Sequence, residues 1–96
     1  MSTIITCSGR NVDLAGDEAV TKHLWDPKGY AQFIIRQINS DRIYDRCLKD
    51  KTDLVILDIG ANVGLFTLYA QDAAKRLVAV EPTPSHQHVF EQLTRD

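Results

Sequence analysis

Two acidic residues and two glycines lie in one short stretch of the second half of the chain. Asp58 precedes the turn Gly60-Ala61-Asn62-Val63-Gly64, and Glu81 follows the next apolar run. Carboxylates accept hydrogen bonds from amines and hydroxyls, and glycine allows positive φ and close approach of a ligand to the backbone. A helix that begins after the turn would present free amides to an anionic group. These groups predict a site for a ligand with a charged end and a ribose.

The spacing of the glycines distinguishes between two cofactors of that kind. A dinucleotide site requires Gly-x-Gly-x-x-Gly, so that pyrophosphate can lie against the turn. Counted from Gly60, the second and third glycine positions hold Asn62 and Leu65. S-adenosylmethionine carries a methionine carboxylate and amine instead of pyrophosphate, and this looser turn beside Asp58 suits it better. Asn62 is tolerated because Asn enters the left-handed region at low cost. A nucleotide-dependent oxidoreductase is the weaker alternative.

The elements around the turn are predicted to form a parallel sheet. Leu54–Leu57 is a continuous apolar run, which is typical of a strand covered on both faces. A helix is predicted over residues 65–75, with Lys75-Arg76 at its negative end, then a strand over 77–80 and a helix from Pro84. This order gives a βαβ unit, in which ligands bind at the carboxyl ends of the strands. Both acids are predicted to lie at that edge, and Gly64 is predicted to lie where the helix packs closely on the strand.

The first half of the chain is predicted to hold a hairpin followed by helices. Residues 3–14 have strand and turn chemistry, residues 17–24 suit a short helix, and Asp26-Pro27 caps another. That helix places a stripe on one face: Ala31, Ile34, Ile35 and Ile38. The phase breaks at Asn39-Ser40, and the next helix, to Asp50, has this inner face: Ile43, Tyr44, Cys47 and Leu48.

The motif Leu57–Gly64, followed by Phe66-Thr67 and Val80–Pro84, resembles the FkbM family of S-adenosylmethionine-dependent methyltransferases. The resemblance implies a class I methyltransferase fold, whose seven-stranded sheet has helices on both faces. It also implies a set of cofactor-binding residues: Asp58, Gly60, Ala61, Asn62, Gly64 and Glu81. The turn would hold the methionine part, with Asp58 near the amine and Glu81 on the ribose hydroxyls. Tyr30 and Phe33 are candidates for the methionine pocket, with core packing as the simpler alternative.

The predicted fold is therefore α/β, with the first two parallel strands of a Rossmann-like methyltransferase sheet and flanking helices. Residues 1–53 form an N-terminal hairpin and helical segment, and residues 54–96 form the first, incomplete half of the cofactor-binding domain. The expected reaction is methyl transfer to an oxygen of a small metabolite or sugar, and no residue is predicted as the catalytic base. The alternative is a non-enzymatic module that folds with a partner or self-associates through an open sheet edge.

Composition narrows the partners. The 96 residues include 11 Lys and Arg against 13 Asp and Glu, a net charge of -2. That balance gives no basic footprint for nucleic acid or membrane surfaces, and no apolar run approaches a membrane span. The first ten residues lack a signal-peptide core, which predicts a cytoplasmic protein. Cys7 and Cys47 are far apart, and no metal site is predicted. The expected partner is a small-molecule substrate.

Overall fold

A computed structural model describes residues 3–14 and 30–94. In chain order the elements are β1 (Thr3–Ile5), β2 (Asn11–Asp13), α1 (Tyr30–Asn39), α2 (Asp45–Leu48), β3 (Leu54–Ile59), α3 (Leu65–Ala70), a 3-10 turn (Gln71–Ala73), β4 (Ala74–Val80) and α4 (Pro84–Leu93). The predicted α/β class, with a two-stranded parallel sheet and helices, is confirmed. The helix predicted over 17–24 and the cap at Asp26-Pro27 lie outside the described residues.

The N-terminal hairpin is confirmed. Strands β1 and β2 pair antiparallel, with Ile4 opposite Val12, and Gly9 has a φ of +89° in the turn between them. The Thr6 amide donates to the Arg10 carbonyl at 2.8 Å. Ile4 is fully buried, so the hairpin contributes directly to the core.

Helix α1 has the predicted apolar face and the predicted end. Ala31, Ile35 and Ile38 are buried, and the helix ends at Asn39. The Asn39 side chain accepts the Ile5 amide at 2.8 Å and donates to the Thr3 carbonyl at 2.5 Å. The residue that ends α1 therefore also fixes the helix to strand β1.

The second predicted helix is much shorter than expected. It occupies only Asp45–Leu48, and of its predicted inner face Leu48 is buried while three residues are exposed: Ile43, Tyr44 and Cys47. Arg42 takes a φ of +49°, which is left-handed, and its guanidinium donates to the Ile5 and Thr6 carbonyls. Arg42 thus lies in the turn after the predicted break at Asn39-Ser40, and the helix that was expected to follow begins only at Asp45.

The parallel sheet begins and ends at other residues than the pattern suggested. Leu57 of β3 pairs with Val78 of β4, and β3 runs on to Ile59, so Asp58 lies inside the strand. Strand β4 starts at Ala74 because α3 ends at Ala70 and a 3-10 turn redirects the chain. Lys75 and Arg76 are therefore strand residues, and the prediction that they end a helix is wrong.

Both faces of this sheet are predicted to be covered by helices, but one face is exposed in the described part of the chain. Within the described residues, five side chains of that face are between 43% and 75% exposed: Val55, Leu57, Ile59, Val78 and Val80. We call these five residues the open sheet face. Side chains alternate along a strand, so the opposite face carries Leu54, Ile56 and Leu77, which pack against the core.

A shared core joins the hairpin, α1, α3 and α4. It includes Ile4, Ile38, Tyr69 and Val89, and Tyr69 is fully buried with its hydroxyl donating to Asp45 Oδ1 at 2.7 Å. The inward face predicted for α3 and the 3-10 turn is confirmed, since four residues are buried: Leu65, Leu68, Tyr69 and Ala73. Across residues 3–14 and 30–94, no helix has the length and apolar character needed to cross a membrane.

Candidate cofactor-binding site

The glycine turn has the backbone geometry that its sequence predicts. Gly60, Asn62 and Gly64 have φ values of +75°, +56° and +95°. The amides of Gly60 and Ala61 both donate to the Val80 carbonyl, at 2.8 and 3.0 Å. Since Val80 ends β4, these two hydrogen bonds hold the turn after β3 against the end of the neighbouring strand.

Glu81 connects the two strand ends through its carboxylate. Its Oε1 accepts the Asn62 amide at 2.7 Å, and its Oε2 accepts the Thr83 amide at 3.0 Å. The side chain is only 9% exposed, and the Thr83 and Asn62 amides lower the pKa of Glu81. Each carboxylate oxygen can accept more than one hydrogen bond, so Glu81 keeps acceptor capacity for a ligand hydroxyl.

Asp58 lies at the same edge with fewer partners. It is half-buried, and Thr67 Oγ1 donates to its Oδ2 at 3.2 Å. Burial raises the pKa of Asp58, with a smaller contribution from the nearby negative charge of Glu81, while the Thr67 hydrogen bond lowers it. A partly desolvated carboxylate of this kind is well suited to a cationic ligand group, which would favour its charged form.

A cavity of about 340 Å³ opens beside the turn. Four of the predicted cofactor-binding residues line it: Asp58, Gly60, Ala61 and Asn62. Glu81 instead lines a second cavity of about 320 Å³, together with Ala79, Gln87, Phe90 and Glu91. The structure thus brings the predicted residues to one edge of the sheet and divides them between two neighbouring cavities.

Gly64 has a packing role that differs from the one predicted. A Cβ on Gly64 would lie 2.9 Å from Phe90 Cδ2 and 3.1 Å from Thr94 Cγ2. The close neighbours are thus in and just after α4, and the predicted close contact between helix and strand at this glycine is wrong. Gly60 differs, because nothing lies within 4 Å of its ideal Cβ position. Gly60 therefore leaves open space at the turn, whereas the absence of a side chain at Gly64 leaves room for Phe90 of α4 to pack closely.

The first cavity has further walls that sequence reasoning did not assign to the site: Ile34, Tyr44, Val63, Leu65 and Phe66. The Tyr44 and Phe66 rings form an edge-on pair with centroids 4.8 Å apart and an interplanar angle of 72°. Phe33 is 60% exposed and does not line this cavity, and the Tyr30 side chain lies outside the described part of the structure. The apolar stripe of α1 is the sequence signal that could have placed Ile34 at the cavity. The sequence pattern predicts Tyr44 on the inner face of a helix instead.

Metal ligation finds no support in the described ranges, where no group of three or more His, Cys, Asp or Glu side chains could hold an ion. Cys7 is buried and Cys47 is exposed, and both are free thiols. The chemistry available at this edge is therefore hydrogen bonding and charge, supplied by carboxylates and backbone amides.

A short part of the chain is similar to a known protein. A 54-residue stretch is 41% identical to part of the AMB antimetabolite synthetase AmbE of Pseudomonas aeruginosa. The match covers 53% of this chain and 2% of the synthetase, so the chain corresponds to a very small part of that protein. No protein-family model matches the chain, and no solved structure matches it.

Proposed function

We propose that this chain binds S-adenosylmethionine and acts as the cofactor-binding part of an FkbM-like methyltransferase. The observation that carries the proposal is the hydrogen bond from the Asn62 amide to Glu81 Oε1, at 2.7 Å. It joins the glycine turn after β3, which lines a cavity together with Asp58, to the acid after β4, which lines the neighbouring cavity. Charged and hydroxyl-binding groups thus stand together at the carboxyl edge of a parallel sheet, where α/β proteins bind ligands.

The chain's own groups suit the parts of this cofactor. Asp58 would accept a hydrogen bond from the amine, because its carboxylate lines a cavity and, among the described residues, has a single side-chain donor in Thr67. His86 Nδ1 also lies 3.5 Å from Glu81 Oε2, so Glu81 would accept the ribose hydroxyls with the lone pairs that the Asn62 and Thr83 amides and His86 leave unused. The open space at Gly60 would let the methionine part approach the backbone. In this arrangement Asp58 would bind the amine of the methionine part, and Glu81 would bind the ribose.

When bound, S-adenosylmethionine supplies an activated methyl group for direct transfer to a nucleophile. The described residues would contribute orientation, by fixing the cofactor relative to the acceptor. We assign no catalytic base among them. The proposed acceptor is an oxygen of a small metabolite or sugar, and similarity to part of an antimetabolite synthetase supports a small-molecule acceptor.

A second candidate is a non-enzymatic module that folds with a partner or with copies of itself. The open sheet face favours it, because parallel sheets normally have both faces covered. A nucleotide-dependent oxidoreductase has less support, since Asn62 and Leu65 occupy positions where a pyrophosphate turn requires glycine. Ligand identity distinguishes the two enzyme candidates, whereas the module could bind a ligand or not.

Isothermal titration of the chain with S-adenosylmethionine, S-adenosylhomocysteine and NAD tests the proposal. We expect the first two to bind and NAD not to bind. Glu81→Gln should weaken binding by about tenfold or more, because the amide loses one acceptor oxygen and the negative charge. Asp53→Asn, at the opposite end of β3, is the matched control and should bind as the unmodified chain does. Equal or tighter binding of NAD, or full affinity in Glu81→Gln, would contradict the proposal.

A further inference from the structure

The cavity beside the glycine turn has an aromatic wall that comes from two distant parts of the chain. Tyr44 precedes α2, and Phe66 lies in the first turn of α3. Their rings pack edge to face, and both line the cavity that Asp58 lines. Tyr44 is 37% exposed and is one of the residues that line the cavity.

Several contacts hold Tyr44 in this position. The amides of Cys47 and Leu48 donate to its carbonyl at 3.1 and 3.2 Å. Its ring also lies 5.9 Å from the ring of Tyr69, which is fully buried. The aromatic wall is thus anchored through the backbone of α2 and through the core.

The chemistry of this wall favours a cation. The face of an aromatic ring carries partial negative charge and attracts cations within about 6 Å of its centroid. In an edge-on pair, the ring that contributes its edge keeps both of its own faces clear of the other ring. The carboxylate of Asp58 adds a full negative charge to the same cavity. An aromatic surface and a carboxylate together form a lining suited to a ligand with positive charge.

We propose that Tyr44 and Phe66 recognise the sulfonium of the cofactor and distinguish it from the neutral thioether product. The inference rests on the proposed function and assigns a specificity role to two residues outside the predicted cofactor-binding set. In methyl transfer a lone pair of the acceptor oxygen would form the bond to the methyl carbon, the bond from sulfur to that carbon would break with its electron pair left on sulfur, and the hydroxyl proton of the acceptor would pass to solvent. The positive charge on sulfur is lost, so the wall holds the product less tightly than the cofactor.

The test compares the affinities of S-adenosylmethionine and S-adenosylhomocysteine by calorimetry in the unmodified chain and in Tyr44→Leu. Leucine keeps an apolar side chain against the methyl group and removes the aromatic face. The affinity for S-adenosylmethionine should fall by about three- to tenfold, while that for S-adenosylhomocysteine changes by less than about twofold. Tyr44→Phe keeps the ring and should retain the original affinity ratio. Phe33→Leu, an exposed aromatic outside the cavity lining, is the matched control.

The outcomes separate this inference from the proposed function. Equal losses for both ligands in Tyr44→Leu would show apolar contact alone and would overturn the inference while leaving cofactor binding in place. An unmodified chain that binds neither ligand would overturn both. Phe66→Leu gives an independent reading if Tyr44→Leu fails to fold in a thermal melt. An unchanged affinity ratio in a folded Phe66→Leu variant would also overturn the inference.

Discussion

Asp58 stands where the fold disfavours its charge. Burial raises its pKa, which means that the folded state binds a proton at this carboxyl more readily than the unfolded chain does. The favourable contribution to stability is therefore present at low pH and is lost as the pH rises through the raised pKa. At pH 7 the charged carboxylate is a cost to the fold, as is common at sites whose role is binding or catalysis.

Asp58→Asn should therefore raise the melting temperature at pH 7 while weakening binding of S-adenosylmethionine. The amide retains an oxygen for the Thr67 hydroxyl and carries no charge to desolvate. The gain in melting temperature should shrink as the pH falls through the raised pKa of Asp58 towards the ordinary range of an Asp carboxyl. Thermal melts at pH 7 and pH 4, with calorimetry at pH 7, measure both effects. Lower stability at pH 7 would show that Asp58 supports the fold.

At this scale the sequence located some residues of the site and missed others for physical reasons. The positive φ at Gly60 and Asn62 follows from local turn chemistry, which the motif contains. The partnership of Glu81 with the turn follows from parallel strands ending at one edge. Tyr44 lies at the cavity because its ring contacts Phe66 and Tyr69 of α3, and no local pattern encodes that tertiary contact.

Among the elements, the hairpin is tied to the 3-10 turn before β4 by Asp72. The hydroxyls of Thr6 and Ser8 each donate to Asp72 Oδ2 at 2.6 Å, and Arg10 donates from Nη2 to Oδ1 at 2.8 Å. Hydrogen bonds from Arg10, Ser8 and Thr6 lower the pKa of Asp72 to about 2. These tertiary contacts lie just after the end of α3 at Ala70. Periodicity alone therefore predicted a helix to residue 75, because it does not register contacts with a distant hairpin.

Asp72→Asn should lower the free energy of unfolding by about 1 to 2 kcal/mol at pH 7, allowing for screening of the exposed Arg10. The folded-state pKa of Asp72 is depressed, so its contribution is present above the unfolded value of 3.8 and is lost as the pH falls towards 2. Urea unfolding at pH 7 and at pH 3 should show the difference narrowing. Asp41→Asn, an exposed acid after α1, is the control. A loss that is independent of pH would assign the effect to the hydrogen-bond geometry alone.

For the molecule as a whole, the open sheet face is the main departure from the expected architecture. A parallel strand with continuous apolar sequence is normally covered on both faces, and in residues 3–14 and 30–94 the core, which includes α3, covers one face only. In the described part of the chain β3 pairs with β4 alone, so the sheet also has unpaired edges. The sequence predicted the open edge, because strand count and order can be read from the pattern. It did not predict the open face, which depends on where every helix packs.

We therefore predict that the purified chain self-associates at micromolar concentration through the open sheet face. Partial burial of five large aliphatic side chains against a second copy would stabilise the pair by several kcal/mol before the entropy cost of association. A face of this size matches the small, weak class of interfaces, so association should vary with concentration in sedimentation velocity.

Leu57→Lys should shift the chain towards monomer, because a charge at the centre of the face would be buried without a partner. Phe33→Lys changes an exposed apolar residue outside the sheet and should leave association unaltered. Association that survives Leu57→Lys would assign the contact to the unpaired edge of β3, and a compact monomer with a cooperative melt would contradict self-association altogether.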